Sequence, residues 1–257
     1  MLKVERQNII FQELTKQGFV LVPAMSQMLN CSEETIRRDI KEMEKAGKLV
    51  RTHGGAYQVE KYDKGYPMEL RRSFMQHTKA RLGLQVINEI KENDVIMLDS
   101  STTCLALAEE IVRRSLSITL ITNSLAIFNL CNETNSDVNL ICVGGTFRKR
   151  TTSFADPNTV EALKFYHADK AFISCPKVTL EFGLSDNHIS EANIRKQMLR
   201  QAEKRYLLAD HTKFDQSANI PFDGLDKITC LVTDQHLPDE WLTYASSTGM
   251  KIRYAEE

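Results

Sequence analysis

Short apolar runs alternate with helix-like stretches along the second part of the chain, and this alternation constrains the fold most strongly. The runs cover residues 95–98, 118–121, 138–143, 170–174, 206–209 and 228–232. Strands separated by helices pair in parallel, because a parallel connection needs a crossover of about a dozen residues or more. The pattern predicts an α/β domain over residues 71–257, with a mainly parallel sheet covered by helices on both faces.

The composition of the 257 residues excludes several classes of protein. It has no run of about eighteen apolar residues, so neither a transmembrane helix nor a membrane partner is expected. The first residues carry charges within their apolar stretch, unlike a secretory signal. Six cysteines without a CxxC pair favour reduced thiols in a cytoplasm, and no metal or cofactor is predicted. A net charge of -1 means that nucleic-acid binding would need a local basic patch.

The segment 1–57 has a different pattern, which predicts a winged helix-turn-helix domain. Helical spacing of apolar residues predicts three short helices, over residues 4–17, 23–29 and 32–46. Pro23 suits the first turn of the second helix, and Ser32 is a good N-cap for the third. Short strands on either side of the pair Gly54-Gly55 predict a hairpin that could serve as a wing.

The face of the third helix opposite its apolar stripe carries side chains suited to DNA. Arginine can donate two parallel hydrogen bonds to guanine, and lysines and hydroxyl groups suit phosphates. The candidate DNA contacts on the helix and hairpin are Ser32, Thr35, Arg37, Arg38, Lys41, Lys48, Arg51 and His53. On pattern alone, a solvated helix whose cations pair with nearby glutamates is an equally good interpretation.

Three polar loops follow predicted strands, where open parallel sheets bind ligands. They contain Asp99, Ser100, Ser101, Thr102 and Thr103; then Thr122, Asn123 and Ser124; then Gly144, Gly145 and Thr146, with Arg148 close behind. Hydroxyl groups at a helix N-terminus can hold a phosphate, and paired glycines allow close approach of a ligand. Taken singly, the first loop is equally well explained as a helix cap and the third as a glycine turn, and a plain N-cap is the favoured interpretation of the second. Because all three follow strands of one sheet, they can converge on one cleft.

The stretch CSEETIRRDIKEMEKAGKLVRTHGGA, residues 31–56, resembles the DNA-binding domain of DeoR-family transcriptional repressors. The resemblance rests on TIRRDI at residues 35–40 and RTHGGA at residues 51–56. It extends to the second domain, which in this family is similar to ribose-5-phosphate isomerase and the coenzyme A transferases and binds a phosphorylated sugar. Glu191 and Lys196 join the predicted effector-binding residues on this basis.

One departure from the family pattern concerns the first loop, which usually carries glycine where this chain has Ser101. Residues 101–104 and the pair Ser174-Cys175 are most similar to the branch that controls fucose catabolism. That branch implies a deoxysugar phosphate such as fuculose 1-phosphate as the effector. For Lys213, a solvated or structurally paired lysine is the simpler interpretation.

The resemblance predicts a cytoplasmic repressor of a sugar-catabolic operon, released from operator DNA by a sugar phosphate. The domains would be residues 1–57 and 71–257, joined by a linker over 58–70. A helix-turn-helix reads only a half-site, so a dimer or tetramer is expected. The alternative is a sugar-phosphate isomerase-like enzyme with an N-terminal helical domain. Asp99 or Glu191 could then be its base, although no base-plus-acid pair is evident from the spacing.

Overall fold

The computed structural model describes residues 1–52, 54–57, 68–134 and 136–255, with the side chain of Gln17 left aside. The chain divides into two compact units, Met1–Phe74 and Met75–Glu257. No helix in the described ranges is long and apolar enough to cross a membrane. Within the same ranges, no cluster of three His, Cys, Asp or Glu side chains could hold a metal ion.

The first unit has the predicted winged helix-turn-helix fold. Its elements are α1 (Lys3–Gln17), β1 (Phe19–Leu21), α2 (Val22–Leu29), α3 (Glu33–Lys45), β2 (Val50–Arg51), β3 (Gly55–Tyr57) and α4 (Met68–Ser73). The strands form an antiparallel sheet in the order β1-β3-β2. Ser32 caps α3 as predicted, because its hydroxyl accepts the Thr35 N–H at 3.3 Å. Gly55 allows β3 to lie against β1, since a Cβ there would overlap the carbonyl oxygen of Val20.

The second unit contains the predicted parallel sheet, whose seven strands are β4 (Val95–Leu98), β5 (Thr119–Thr122), β6 (Asn139–Cys142), β9 (Ala168–Ile173), β12 (Ala202–Leu208), β14 (Cys230–Thr233) and β15 (Lys251–Tyr254). Their order in the sheet is β15-β14-β12-β9-β4-β5-β6. The helices are α5 (Gln76–Val86), α6 (Thr102–Arg113), α7 (Leu125–Asn132), α8 (Pro157–Leu163), α9 (Ile189–Arg200) and α10 (Asp239–Thr248). Buried apolar side chains such as Phe172 and Leu207 fill the space between sheet and helices.

The second unit also contains two smaller β structures, separate from the seven-stranded sheet. A hairpin pairs β7 (Phe147–Arg148) with β8 (Ser153–Phe154). A separate antiparallel sheet has the order β10-β11-β13, formed by β10 (Lys177–Thr179), β11 (Gly183–Asp186) and β13 (Ile220–Asp223). The sequence pattern predicted neither structure, because these strands are short and rich in polar residues and turns.

The helix structure at the junction of the units differs from the prediction. Apolar spacing predicts one helix over residues 68–90, but α4 ends at Ser73 and α5 begins at Gln76. Met75 lies between them in the left-handed region with a φ of 52°, which an α-helix cannot accommodate. Residues 68–70, assigned to the linker, are the first residues of α4. The rest of that linker, residues 58–67, lies outside the described residues.

Candidate functional site

Helix α3 turns an apolar face inward and a cationic face to solvent. Ile36 and Ile40 are fully buried, whereas Arg37 and Arg38 between them are exposed. Also near this surface lie Ser32, Thr35, Lys41 and, just after the helix, Lys48. Exposed cations on a helix with a rigidly buried opposite face are the arrangement that a DNA groove requires.

A cleft of about 360 Å³ separates α3 from the hairpin β2–β3. Its lining residues are Val22, Arg37, Ile40, Glu44, Arg51, Thr52 and Gly55. Two predicted DNA contacts therefore line this cleft, Arg37 on the helix side and Arg51 on the hairpin side. His53, also predicted from sequence, lies outside the residues that the structure describes.

Acidic residues contact several of these cations. Arg37 donates to the Glu33 carboxylate at 2.7 Å, one helical turn away, as the solvated-helix interpretation anticipates. Asp39 plays a different part, because its buried carboxylate accepts hydrogen bonds from the Arg6 guanidinium on α1. This ion pair holds α3 against α1, so Asp39 contributes to the placement of the helix rather than to its cationic surface.

The loop after β4 is organised around the Asp99 carboxylate. One of its oxygens accepts the Ser101 N–H at 3.0 Å, and the other accepts the Ser174 N–H at 3.2 Å. Ser101 in turn caps α6, accepting the Cys104 N–H at 3.1 Å. The cap interpretation therefore accounts for the Ser101 hydroxyl, and the adjacent Thr102 and Thr103 are buried in the first turn of α6.

In the loop after β5, the hydroxyl groups of Thr122 and Ser124 form hydrogen bonds with the backbone. The side-chain amide of Asn123 uses only part of its hydrogen-bonding capacity within the described residues. Thr122 donates to the carbonyl of Leu98 at 2.8 Å, and Ser124 caps α7. Asn123 is fully buried and donates its amide N–H to the Phe154 carbonyl at 2.9 Å. Its Oδ1 atom has no hydrogen-bond donor among the described residues.

Glu191, at the start of α9, connects the first loop to the β7–β8 hairpin. Its carboxylate accepts hydrogen bonds from Ser100 at 3.1 Å and from Ser153 at 3.0 Å. The Arg148 guanidinium donates to it at 3.0 Å. The structure thus brings together three residues that the sequence placed in one site, and Glu191 itself is only 3% exposed.

Arg195 is the main residue of this cluster that sequence analysis missed. Its guanidinium donates to Asp99 at 2.6 Å and to Asp186 on β11, and it lies 3.9 Å from Glu191. Burial disfavours its charge, but attraction to Asp186, Asp99 and Glu191 outweighs burial and raises the pKa of Arg195. The spacing of Glu191 and Arg195, four residues apart on one helix, is the sequence signal that could have identified it.

The loop after β6 is held by Asp156 rather than left open. The Asp156 carboxylate accepts the Thr146 N–H at 2.9 Å and its hydroxyl at 2.8 Å, and it caps α8 through Thr159. The Thr159 N–H and the Thr146 hydroxyl lower the pKa of Asp156 to about 2. Gly145 has a φ of 144°, and a Cβ there would overlap the Thr159 hydroxyl. Internal packing therefore accounts for this glycine, while its neighbour Gly144 has open space around it.

A second group of charges surrounds Asp210 at the end of β12. Lys213 lies 3.7 Å from its carboxylate, and Lys177 donates to the carbonyl of Thr212 at 2.9 Å. Burial opposes ionisation of Asp210, but Lys213, Thr212 and the buried Lys79 of α5 lower its pKa. Burial and the charge of Lys213 lower the pKa of Lys177. Lys213 is paired with Asp210, as the simpler interpretation predicted. Sequence analysis missed Lys79, because it searched the loops that follow strands and Lys79 lies on helix α5.

The two groups of charges lie at the same edge of the sheet, because both follow the carboxyl ends of parallel strands. Asp210 follows β12 and Asp99 follows β4, with β9 between those strands. Two strand spacings correspond to about 10 Å, close to the length of a phosphorylated sugar. Lys196, the remaining predicted effector residue, is half-buried on α9 directly after Arg195.

Comparison with known families identifies both units. The DeoR-like helix-turn-helix domain model matches residues 6–61, and the DeoR C-terminal sensor domain model matches residues 75–235. The HTH-type transcriptional regulator IolR of Bacillus subtilis is 30% identical over 99% of this chain and 100% of its own length. The L-fucose operon activator of Escherichia coli K12 is 30% identical over 91% of this chain and 96% of its own.

Among solved structures, ribose 5-phosphate isomerase A of Methanocaldococcus jannaschii covers 55% of each chain, at a TM-score of 0.40 and 16% identity. The curated relatives are transcriptional regulators, and they match this chain along nearly its whole length. The helix-turn-helix and sensor models together indicate a regulator that binds DNA and a small molecule, not an enzyme. The chain belongs to the DeoR family of transcriptional regulators.

Proposed function

We propose that this regulator represses a carbohydrate-catabolic operon and that a phosphorylated sugar, bound in the second unit, releases it from operator DNA. The observation that carries the proposal is the separation of charge at the carboxyl edge of the parallel sheet. One end of that edge gathers lysines around Asp210, and the other gathers carboxylates around Arg195. A ligand with an anionic group and a hydroxyl-rich body complements both ends.

The lysine end suits the phosphate. Lys177 and Lys213 lie beside the Asp210 carboxylate, and the charge of Lys79 also acts on it, so this end offers cations to an anionic group. The first turn of α6, at Thr102 and Thr103, follows the Asp99 loop directly and adds backbone N–H groups and the positive end of a helix dipole to the same edge of the sheet. Charge-assisted hydrogen bonds from such groups to phosphate oxygens are roughly twice as strong as neutral ones.

The carboxylate end suits the sugar hydroxyl groups, which need acceptors. Glu191 and Asn123 supply acceptor oxygens there, and Arg148 supplies a donor. The proposed effector-binding residues remain Asp99, Ser100, Ser101, Thr102, Thr103, Thr122, Asn123, Ser124, Gly144, Gly145, Thr146, Arg148, Glu191 and Lys196. Lys79, Lys177, Lys213 and Arg195 extend that set.

The DNA surface is the cationic face of α3 with the wing. We assign it Ser32, Thr35, Arg37, Arg38, Lys41, Lys48 and Arg51, with His53 added from sequence. A single helix-turn-helix covers one half-site, so the active form is a homo-oligomer, dimer or tetramer, on a palindromic or repeated operator.

The repressor direction follows from the resemblance of the N-terminal motifs to DeoR repressors. The relative named as the L-fucose operon activator shows that the opposite direction also occurs among proteins of this similarity. The resemblance to the fucose branch makes fuculose 1-phosphate the first effector to test, alongside other sugar phosphates.

Fluorescence anisotropy of a labelled upstream DNA fragment tests this function. The titration is performed at fixed salt, because phosphate contacts make DNA affinity strongly salt-dependent. Each sugar phosphate is compared with its unphosphorylated sugar and with inorganic phosphate. We expect preference for the operator over random DNA, and its loss with one sugar phosphate only. If an effector tightens operator binding, the proposal that the effector relieves repression is wrong. If no sugar phosphate releases the protein from operator DNA, the proposal that the effector is a sugar phosphate is wrong.

A further inference from the structure

Glu44 is an acidic residue in a surface proposed to meet DNA phosphates. It lies in the last turn of α3 and lines the cleft between that helix and the wing, together with Arg37 and Arg51. An unpaired carboxylate there would repel the DNA backbone and oppose the contribution of the neighbouring arginines. Its presence therefore needs a compensating role.

The contacts of Glu44 show such a role. One carboxylate oxygen accepts the backbone N–H of Arg51 at 2.9 Å, and the other lies 3.4 Å from the guanidinium Nε of the same residue. These contacts join the end of α3 to strand β2 across seven residues of chain. Both side chains are partly exposed, so the ion pair by itself contributes little to stability.

The backbone contact is the more informative one, because β2 is one of the two edge strands of its sheet. In this hairpin Thr52 donates to the carbonyl of Gly55 at 2.8 Å, which makes those two residues the hydrogen-bonded pair. The next pair, Arg51 and Ala56, is therefore the non-hydrogen-bonded kind, and the Arg51 N–H points away from β3. Glu44 supplies the acceptor that the sheet does not.

We infer that Glu44 is a positioning residue, which fixes the wing and the Arg51 side chain at a set distance from α3. The inference rests on the proposed DNA surface, and it gives that surface a mechanism for specificity. Arg37 and Arg51 then face one another across a cleft of fixed width, and only DNA of matching shape contacts both. The negative charge of Glu44 is offset because it is directed at Arg51 rather than at the DNA.

The test compares Glu44→Gln, Glu44→Ala and the control Glu34→Ala for operator and random DNA by anisotropy. Glutamine keeps an acceptor oxygen for the Arg51 N–H, so we expect its operator preference to stay within about twofold of wild type. Alanine removes both contacts, and we expect the preference to fall by about fivefold or more. The control removes a glutamate from the same helix that is not joined to the wing, and its preference should not change.

A second readout separates this inference from the proposed function, because it needs no DNA. The Arg51 amide should be protected from hydrogen exchange in wild type and in Glu44→Gln, and should exchange faster in Glu44→Ala. Equal exchange in all three, or an operator preference that Glu44→Ala leaves unchanged or raises, would overturn the positioning role. The wild-type protein could instead show no operator preference while exchange of its Arg51 amide still depends on Glu44. That result would overturn the proposed DNA surface and leave the positioning role of Glu44 intact.

Discussion

Asn123 carries a buried amide oxygen that no donor in the described part of the chain reaches. Leaving a buried acceptor unpaired costs about 1–3 kcal/mol, so such atoms are rare in folded proteins unless a ligand or water completes them. The neighbouring carboxylates of Asp99 and Glu191 are each satisfied by several donors. At the residue scale, Asn123 is thus the position where a sugar hydroxyl group would remove an existing deficit.

We expect Asn123→Ala to weaken effector binding by about 2–12-fold, the value of one hydrogen bond between neutral groups. Isothermal titration calorimetry with the effector found by anisotropy measures this change. Asn139→Ala is the matched control, because that asparagine is exposed at the start of β6. Equal affinity of the two variants would remove Asn123 from the site.

We expect folding stability to depend on pH through Asp156, which holds the loop after β6. Its pKa is about 2 in the folded chain and has an ordinary value of 3.8, so folding favours the charged form. The resulting stabilisation is complete above about pH 4 and is lost as the pH falls through about 2. Asp156→Asn cannot titrate, so its urea midpoint should lie below that of wild type at pH 5 and approach it near pH 2. A constant difference between these pH values would contradict the role of Asp156.

At the scale of elements, helix α9 connects the elements that surround the proposed effector site. Through Glu191 it reaches the loop after β4 and the β7–β8 hairpin, and through Arg195 it reaches Asp99 in the same loop and Asp186 on β11. A buried guanidinium that serves three carboxylates cannot be removed singly without leaving them uncompensated. The helix therefore contributes both to the site and to the stability of the unit.

We expect Arg195→Met to destabilise the protein by about 3–5 kcal/mol, although methionine fills similar space, because buried carboxylates lose their counter-charge. Chemical denaturation measures the loss. Arg200→Met, at an exposed position on the same helix, should change stability by less than about 0.5 kcal/mol. Similar effects of the two substitutions would show that the Arg195 contacts are dispensable.

The elements show what the sequence could predict. Apolar periodicity identified β4 with the bounds that the structure has, and it located α3 with its Ser32 cap. The spacing of Glu191 and Arg195 could suggest an ion pair on α9, but it could not reveal the bond to Asp99, which lies 96 residues away along the chain. Nor could a pattern separate ligand contacts from structural ones. The hydroxyl groups of Ser101, Ser124 and Thr146 have internal partners, whereas Asn123 has an unpaired atom, and only the fold distinguishes them.

At the scale of the whole molecule, the two units carry separate chemistry. The first carries a cationic helix and wing, and the second carries lysines around Asp210 and carboxylates around Arg195. An effector changes DNA binding only if its affinity differs between the DNA-bound and free protein. We expect Arg148→Ala to keep operator affinity while removing release by the effector, because Arg148 contacts Glu191 in the second unit. Anisotropy with the variant checks this, and release at the wild-type effector concentration would contradict it.

The most direct test of the central claim is reciprocity between the two sites. Calorimetry gives the effector affinity of the free protein and of its operator complex, and anisotropy gives the operator affinity with and without saturating effector. Thermodynamic linkage requires that the ratio of the two effector affinities equal the ratio of the two operator affinities. Such allosteric factors are typically about 5–150-fold. We expect operator DNA to weaken effector binding by the same factor by which the effector weakens operator binding. Equal effector affinity for free and DNA-bound protein would contradict it.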